Sequence, residues 1–320
     1  MSDWTPNRIA ILGAGAMGCL FGGKLRAGGL DVHLVDTWSE HVNAINTHGL
    51  RFEGFGGAHT VDIPAYVDAN LVGPVDLVVV QCKALHTAAA LSQASALFTD
   101  HTLAVSFQNG LGNEELIAEH IGSERVLGGL TAQGATMTAP GVVHNWGELP
   151  SYVGEMPGGM SARVTTLCDA FTDASLDTHA SSDIRKEIWK KLLGNIGLSP
   201  TSAITRLTSA ELMGVPELSV LVFGAVDEAA AVAQAEGVEL DVAEARSVLL
   251  KLTETDGGGT GNSRSSACVD LLNGRNTEVD WINGSVVRLG AKHGIPTPFN
   301  SALVGAVKGI ERFQELERAR

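Results

Sequence analysis

Three side chains that could do chemistry recur at helical spacing: Lys191, Asn195 and Ser199, at i, i+4 and i+8. That spacing puts them on roughly one helix face, offset from the apolar stripe Ile184, Ile188, Leu192 and Ile196. A lysine whose pKa is lowered by partial burial is a general acid for an oxygen that gains charge during a reduction. A solvated helix face has the same spacing, and the pattern alone favours that reading. A reduction also needs an electron donor, and the start of the chain offers a place for one.

Residues 9–12, Ile-Ala-Ile-Leu, read as a short buried strand and run into Gly13-Ala14-Gly15-Ala16-Met17-Gly18. Residues 19–27 read as a helix, 31–35 as a second strand, and Asp36 stands at its end. GxGxxG followed by a helix, with an acid roughly 20 residues on, is the dinucleotide fingerprint. Gly13 permits the tight turn, Gly15 lets the backbone approach the pyrophosphate, and Gly18 lets helix and strand pack closely. The pyrophosphate then rests on the N–H groups at the positive end of the helix. A carboxylate at position 36 accepts from the ribose 2′-hydroxyl of NAD(H) and repels the 2′-phosphate of NADP(H), so NAD(H) is favoured. At roughly 4 Å and an effective dielectric near 20, each like charge costs about 4 kcal/mol before screening. The pattern GxxxxGK at residues 18–24 is a decoy, because Leu25 replaces the Ser or Thr that would hold magnesium.

Other candidates lie at the ends of later elements. Lys83 follows the strand ending at Cys82, where a cation before a helix start makes sense beside an anion, although a solvated lysine reads the same way. Asn109, in Gln108-Asn109-Gly110, is either a hydrogen-bonding group for cofactor or substrate or a turn residue. Ser265-Ser266 precede an apolar helix, and Thr277-Glu278-Val279-Asp280-Trp281-Ile282-Asn283-Gly284 opens another, with Thr277 as a possible N-cap.

The elements that must position these groups follow from the apolar periodicity. Residues 8–180 alternate strand and helix, as a parallel sheet requires. Helices are expected at 38–48, 84–98 and 112–120, and strands at 76–82, 102–107 and 125–130. Residues 131–154 look antiparallel, with turns at Pro140-Gly141 and Pro157-Gly158-Gly159. From residue 181 the pattern is helical: 217–236, 242–253, 265–272, 278–293 and 301–317, with a glycine-rich loop at 256–262. The fold expected is α/β: a Rossmann-type doubly wound sheet over residues 1–180, then an all-α domain over residues 181–320, with the active site in the cleft between them.

Composition narrows the partners. The 320 residues carry a formal charge of −14, which disfavours nucleic acid and anionic membrane surfaces. Four scattered cysteines form no CxxC, and the ten histidines form no HExxH, so no metal is expected. Residues 1–7 are polar and do not read as a signal peptide, and no run approaches the ~18 apolar residues of a membrane span. A cytoplasmic protein with a small-molecule substrate is expected, and a homodimer is left open.

Taken together, the chain resembles the ketopantoate reductase (2-dehydropantoate 2-reductase) family along nearly its whole length. The matching pieces are residues 11–18, Val80-Gln81-Cys82-Lys83-Ala84, Gln108-Asn109-Gly110, Trp189-Lys190-Lys191-Leu192 with Asn195, and residues 277–284. The resemblance implies that Lys191 is the general acid, that Asn109 and Asn195 hydrogen-bond substrate or cofactor, and that Lys83 lies at the cofactor. It further implies that Glu278 binds the substrate hydroxyl and Ser266 its carboxylate, in a reduction of ketopantoate to D-pantoate. The chain departs from the family at Thr37, where an arginine is usual. It departs again at Ser199, where a second asparagine is usual, and at Ala267-Cys268-Val269-Asp270. The first departure agrees with NAD(H); the other two touch the substrate pocket.

The reading expected is therefore NAD(P)H-dependent reduction of a 2-keto acid, ketopantoate by default. Alternatives are an NAD-dependent D-2-hydroxy acid dehydrogenase for another branched or aromatic acid, and a non-catalytic NAD-binding redox sensor. The β-hydroxyacid dehydrogenases share the Lys-x-x-x-Asn pair, but their glycine-rich substrate motif is missing here.

Overall fold

A strand that is apolar on successive residues has no face to give to water, so it must lie inside a sheet covered on both sides. Residues 9–12 do so: Ile9 and Ile11 feed one buried cluster, Ala10 and Leu12 another. The structure, a computed structural model, describes residues 4–255 and 261–320. Of the expected glycine-rich loop, residues 256–260 lie outside the described residues. The chain divides into two compact units: Met1–Gln108 with Gly112–Glu187, and Asn109–Leu111 with Ile188–Arg320.

The first unit begins β1 (Arg8–Leu12), α1 (Ala16–Ala27), β2 (Asp31–Val35), α2 (Ser39–His48), β3 (Leu50–Gly54), β4 (His59–Val61) and β5 (Ala65–Tyr66). It continues with β6 (Leu77–Val80), α3 (Thr87–Gln93), β7 (Leu103–Ser106), α4 (Asn113–Ile121) and β8 (Val126–Thr131). It closes with β9 (Ala135–Ala139), β10 (Val142–Asn145), β11 (Ser151–Glu155), α5 (Ala162–Asp173) and β12 (Thr178–Ser181). The main sheet has eight strands in the order β12-β11-β8-β7-β6-β1-β2-β5. Its pairings are parallel except β11 with β8. Ile11 stands opposite Leu34 of β2 and Val79 of β6. The order runs outward from β1 in both directions, so the crevice beyond the carboxyl ends of β1 and β6 is the switch point at which such sheets take ligands.

Two features of this unit differ from expectation. The antiparallel pair β9–β10, turning at Pro140-Gly141, lies in the stretch expected to be antiparallel, but its extension by β3 and β4 into a second sheet, β4-β3-β10-β9, was not foreseen, because strands of three to five residues carry too little periodicity to read. The helix expected at 84–98 is broken into α3 flanked by 3₁₀ turns at Ala84–His86 and Ser95–Leu97. Its start is held by Gln108, whose amide donates to the Cys82 carbonyl at 2.6 Å and to Thr87 Oγ1 at 2.8 Å.

The helices of the second unit are α6 (Ile184–Thr205, which starts in the first), α7 (Ser209–Met213), α8 (Pro216–Ala235), α9 (Val242–Leu252), α10 (Ser266–Leu272), α11 (Asn283–His293) and α12 (Pro298–Arg318). The alanine-rich α8 supplies Ala225, Val226, Ala229, Val232 and Ala233 to the core. Among the described residues, α8 is the one helix long and apolar enough by composition to cross a membrane, where no such run was expected. The helix expected at 278–293 begins at Asn283 instead, since residues 278–282 form turns closed on the Glu278 carbonyl. Thr277 caps no helix: its Oγ1 accepts from the Val279 N–H at 3.3 Å within these turns, and its N–H and hydroxyl donate to Glu311, each at 2.7 Å.

Pro200 sits inside α6. It has no N–H, so the Ile196 carbonyl, four residues back, loses its helical donor. Asn283, fully buried, replaces that donor through Nδ2 at 3.0 Å and gives its other amide hydrogen to Asn300 Oδ1 at 2.9 Å. Asn300 in turn donates to the Ala225 carbonyl and to Glu228 Oε2. The Glu228 carboxylate also accepts from the N–H groups of Phe299 and Asn300, which caps the first turn of α12. Asn283→Ala removes the donor from two buried acceptors. The expected loss of stability is about 2–4 kcal/mol, read as a lower urea midpoint at unchanged slope.

Candidate functional site

In the first unit, the residues read as cofactor-binding gather at the ends of β1, β2 and β6. Gly13 has φ 103° and lies so close to the Cys82 backbone that a Cβ would come 2.3 Å from its nitrogen. Gly13 and Ala14 donate their N–H groups to the Val35 carbonyl at 2.9 and 3.1 Å. Gly15 begins α1 with open space where a Cβ would stand. A Cβ on Gly18 would lie 2.0 Å from the Gly13 carbonyl oxygen, which is the close helix–strand packing expected of the third glycine. The first turn of α1 has no acidic residue and no side-chain cap, so the outward N–H groups of Ala16, Met17 and Gly18 are left for an anion.

Asp36 is half-buried just past β2, with Oδ1 accepting from the Trp38 N–H at 2.9 Å, while Thr37 is exposed beside it. Lys83 is half-buried at the start of the turn after β6. Its segment is set by Gln108, which is itself oriented by Ser106 Oγ donating to Gln108 Oε1 at 3.1 Å. Sequence reasoning noted Gln108 only as a motif letter. Its role depends on Cys82 and Thr87, too distant along the chain for any spacing argument. The bare N–H row, the anchored carboxylate and the open space at Gly15 fit a dinucleotide.

In the second unit, Lys191 Nζ donates to Asn109 Oδ1 at 2.9 Å. Burial pulls the Lys191 pKa down from the ordinary lysine value to about 8, with the Glu278 carboxylate opposing that shift. Lys191, Asn109 and Glu278 thus come together. Asn109 is held by its neighbours: Gly110, at φ 94°, packs against the Trp281 carbonyl, and the Leu111 N–H donates to the same oxygen at 2.9 Å. Asn195 lies half-buried one turn further along α6. Ser199 is buried, and its Oγ has no hydrogen-bond partner. Its carbonyl accepts from Ser265 Oγ at 3.0 Å, which brings Ser266, exposed at the first position of α10, beside this end of the helix. Lys191 and Ser199 are eight residues apart, about 12 Å along a helix axis.

The turn that carries Glu278 rests on α12. Glu311, 4% exposed, accepts from both donors of Thr277, and Lys308 reaches Asp280 Oδ2 at 2.5 Å and Glu311 Oε2 at 3.4 Å. Nothing in the sequence pointed to Glu311, which is on another helix. Among the described residues, no group of three or more His, Cys, Asp or Glu side chains could hold a metal ion.

A glycine-loop sheet for a dinucleotide, together with a half-buried lysine of lowered pKa, defines a nicotinamide-dependent oxidoreductase. Family comparison agrees. The family described as ketopantoate reductase PanE/ApbA matches residues 9–158, and its C-terminal part matches residues 183–311. The 2-dehydropantoate 2-reductase of Halobacterium salinarum is 33% identical over 309 residues, covering 95% of this chain and 99% of the relative. That of Pyrococcus abyssi is 33% identical over 310 residues, covering 96% and 99%. Among solved structures, D-mandelate dehydrogenase with NADH and anilino(oxo)acetate superposes with a TM-score of 0.91 at 31% identity, covering 96% of this chain and 99% of the other. A PanE/ApbA family ketopantoate reductase from Ralstonia eutropha JMP134 gives 0.88 at 30%, with the same coverage. The chain belongs to the ketopantoate reductase family. It is an oxidoreductase that works between a keto group and an alcohol with NAD(P).

Glu311→Ala strips a charged acceptor from two buried Thr277 donors. It is expected to lower stability by about 2 kcal/mol or more, with faster amide hydrogen exchange at Thr277 and Val279 as the local readout.

Proposed function

We propose that the chain reduces ketopantoate to D-pantoate with NADH as the preferred donor. The reading is carried by the Lys191–Asn109 contact at 2.9 Å, which aims an ammonium group of lowered pKa. Curated relatives named 2-dehydropantoate 2-reductase, 33% identical over nearly the whole chain, support the substrate. A reduced nicotinamide, when bound, supplies the hydride. Lys191 gives its proton to the oxygen formed at C2, and a pKa near the working pH suits a group that must both hold and release that proton. Asn109 orients the ammonium group. Glu278 accepts from the substrate hydroxyl and, as a neighbouring negative charge, helps keep Lys191 protonated. Asn195 and Ser199 donate to the substrate from the face of α6 that carries Lys191, and the unpartnered Ser199 Oγ supports that assignment. Ser266 takes the carboxylate. The loop 13–18, Asp36 and Lys83 hold the dinucleotide, Lys83 against its negative charge.

The preference for NADH rests on Asp36. Its carboxylate is pinned by the Trp38 N–H, has a second oxygen for a ribose hydroxyl, and has no arginine next to it. The structural likeness to a dehydrogenase solved with NADH agrees with that preference. A cytoplasmic setting suits a reaction between two small, charged, water-soluble molecules.

The test is kcat/KM for ketopantoate with NADH and NADPH side by side. Turnover faster with NADH is expected; binding of NADH without turnover would move the substrate to another 2-keto acid. Lys191→Ala should lower kcat by about 10² or more, and an unchanged kcat would remove the general-acid role. Because the proton must be on Lys191, kcat/KM for reduction should be level below about pH 8 and fall above it. Asp36→Ala combined with Thr37→Arg should move the NADPH:NADH ratio of kcat/KM toward NADPH by at least about tenfold, an energy of about 1.4 kcal/mol.

A further inference from the structure

His41, on α2, is fully buried beneath the glycine loop. Its Nδ1 lies 2.9 Å from the Gly141 N–H, and its Nε2 lies 2.9 Å from the Ala14 carbonyl oxygen. Neither partner is ambiguous. A backbone N–H only donates, so Nδ1 carries no hydrogen; a carbonyl only accepts, so Nε2–H is the donor. The ring is thereby fixed as one neutral tautomer. Burial lowers its pKa, against the opposing pull of Asp36 and the Ala14 carbonyl, which keeps it neutral at working pH. Trp38 stacks on the ring at 5.3 Å between centroids, and the Trp38 N–H holds Asp36. Gly141 is anchored in turn, its carbonyl accepting from the Arg51 N–H of β3 at 2.9 Å. Cys19 Sγ also donates to the Ala14 oxygen, at 3.1 Å.

In a trans peptide the C=O and the following N–H point in opposite directions. Drawing the Ala14 oxygen inward onto His41 therefore turns the Gly15 N–H outward, toward the open space in front of α1. A peptide preceding glycine meets little steric resistance to flipping. The flipped form would present a carbonyl oxygen to an anion. We propose that His41 is a positioning residue for the dinucleotide: its Nε2–H locks the Ala14–Gly15 peptide with the N–H facing the pyrophosphate, and the second sheet anchors it through Gly141. This rests on the reading of loop 13–18 as the cofactor site.

Two near-isosteres divide the two bonds. His41→Asn keeps an acceptor near Nδ1 for Gly141 and loses the reach to Ala14. His41→Gln keeps a donor near Nε2 for Ala14 and loses the acceptor. Each variant loses one buried hydrogen bond, so thermal stability should fall by similar amounts. NADH titration of the full chain, followed by tryptophan fluorescence, should separate them: Kd raised about tenfold in His41→Asn and clearly less in His41→Gln. Equal effects in both variants, or none in either, would overturn the role of His41 while wild-type binding still supported the loop. A wild-type chain that binds no NADH would remove the loop reading and the proposal with it. Should either variant fail to fold, ¹⁵N NMR of the wild-type imidazole decides. Nε2 protonated and Nδ1 bare is expected; the reverse tautomer, or a doubly protonated ring, overturns the proposal.

Discussion

A long, half-buried helix cannot tolerate an unpaired carbonyl in its middle, yet Pro200 creates one at Ile196. The amide of Asn283 resolves the conflict, and the arrangement of the second unit follows from that bond. Through Asn300 it reaches the Ala225 carbonyl of α8 and the Glu228 carboxylate, and through Glu228 the start of α12. Four helices thus share one buried polar chain, in a core otherwise made of Val, Leu, Ile, Ala and Trp189. Such a chain tolerates little sliding, because any shift of α11 against α6 exposes a buried acceptor. Ser199 lies in the turn from Ile196 to Pro200 that lacks its helical bond, so its register with Lys191 and Asn195 depends on that turn staying helical.

The second unit also shows how charge is managed in a chain of formal charge −14. Lys191 is half-buried; its Nζ donates to a neutral amide, and the Glu278 carboxylate opposes the burial that lowers its pKa. Lys308 shows the other regime: it sits directly on Asp280 and Glu311, where the task is to hold a turn and no proton need move.

What could be read from the sequence was local. The strand, glycine turn, helix, strand and acid of residues 9–36 were legible because each step constrains the next within a few residues. Lys191, Asn195 and Ser199 were legible as one face, but spacing could not tell a solvated face from a packed one; the contact of Lys191 with Asn109 takes the lysine out of water, and it spans 82 positions. Gln108, Glu311, His41 and Asn283 were invisible as positioning groups for the same reason, since their partners lie 26, 34, 100 and 87 positions away. The start of α11 was misplaced because Thr277 looked like a cap: its Oγ1 does accept from the Val279 N–H, but the residues that follow close turns rather than a helix. The β3 and β4 strands of the second sheet escaped notice because they are too short to show alternation.

Residues 109–111 belong with the second unit although the chain on both sides of them belongs to the first. The polypeptide therefore passes between the units three times, and neither is a continuous segment of the gene. A cut after Glu187 would release a helical fragment lacking Asn109, the acceptor for Lys191, and Leu111, the donor to the Trp281 carbonyl. The dinucleotide-binding half is a module widely reused in other proteins, but here it cannot be shuffled as a cassette. Recombination would have to inherit both halves as one block, so the pairing of cofactor loop and lysine helix is fixed by how the chain is threaded.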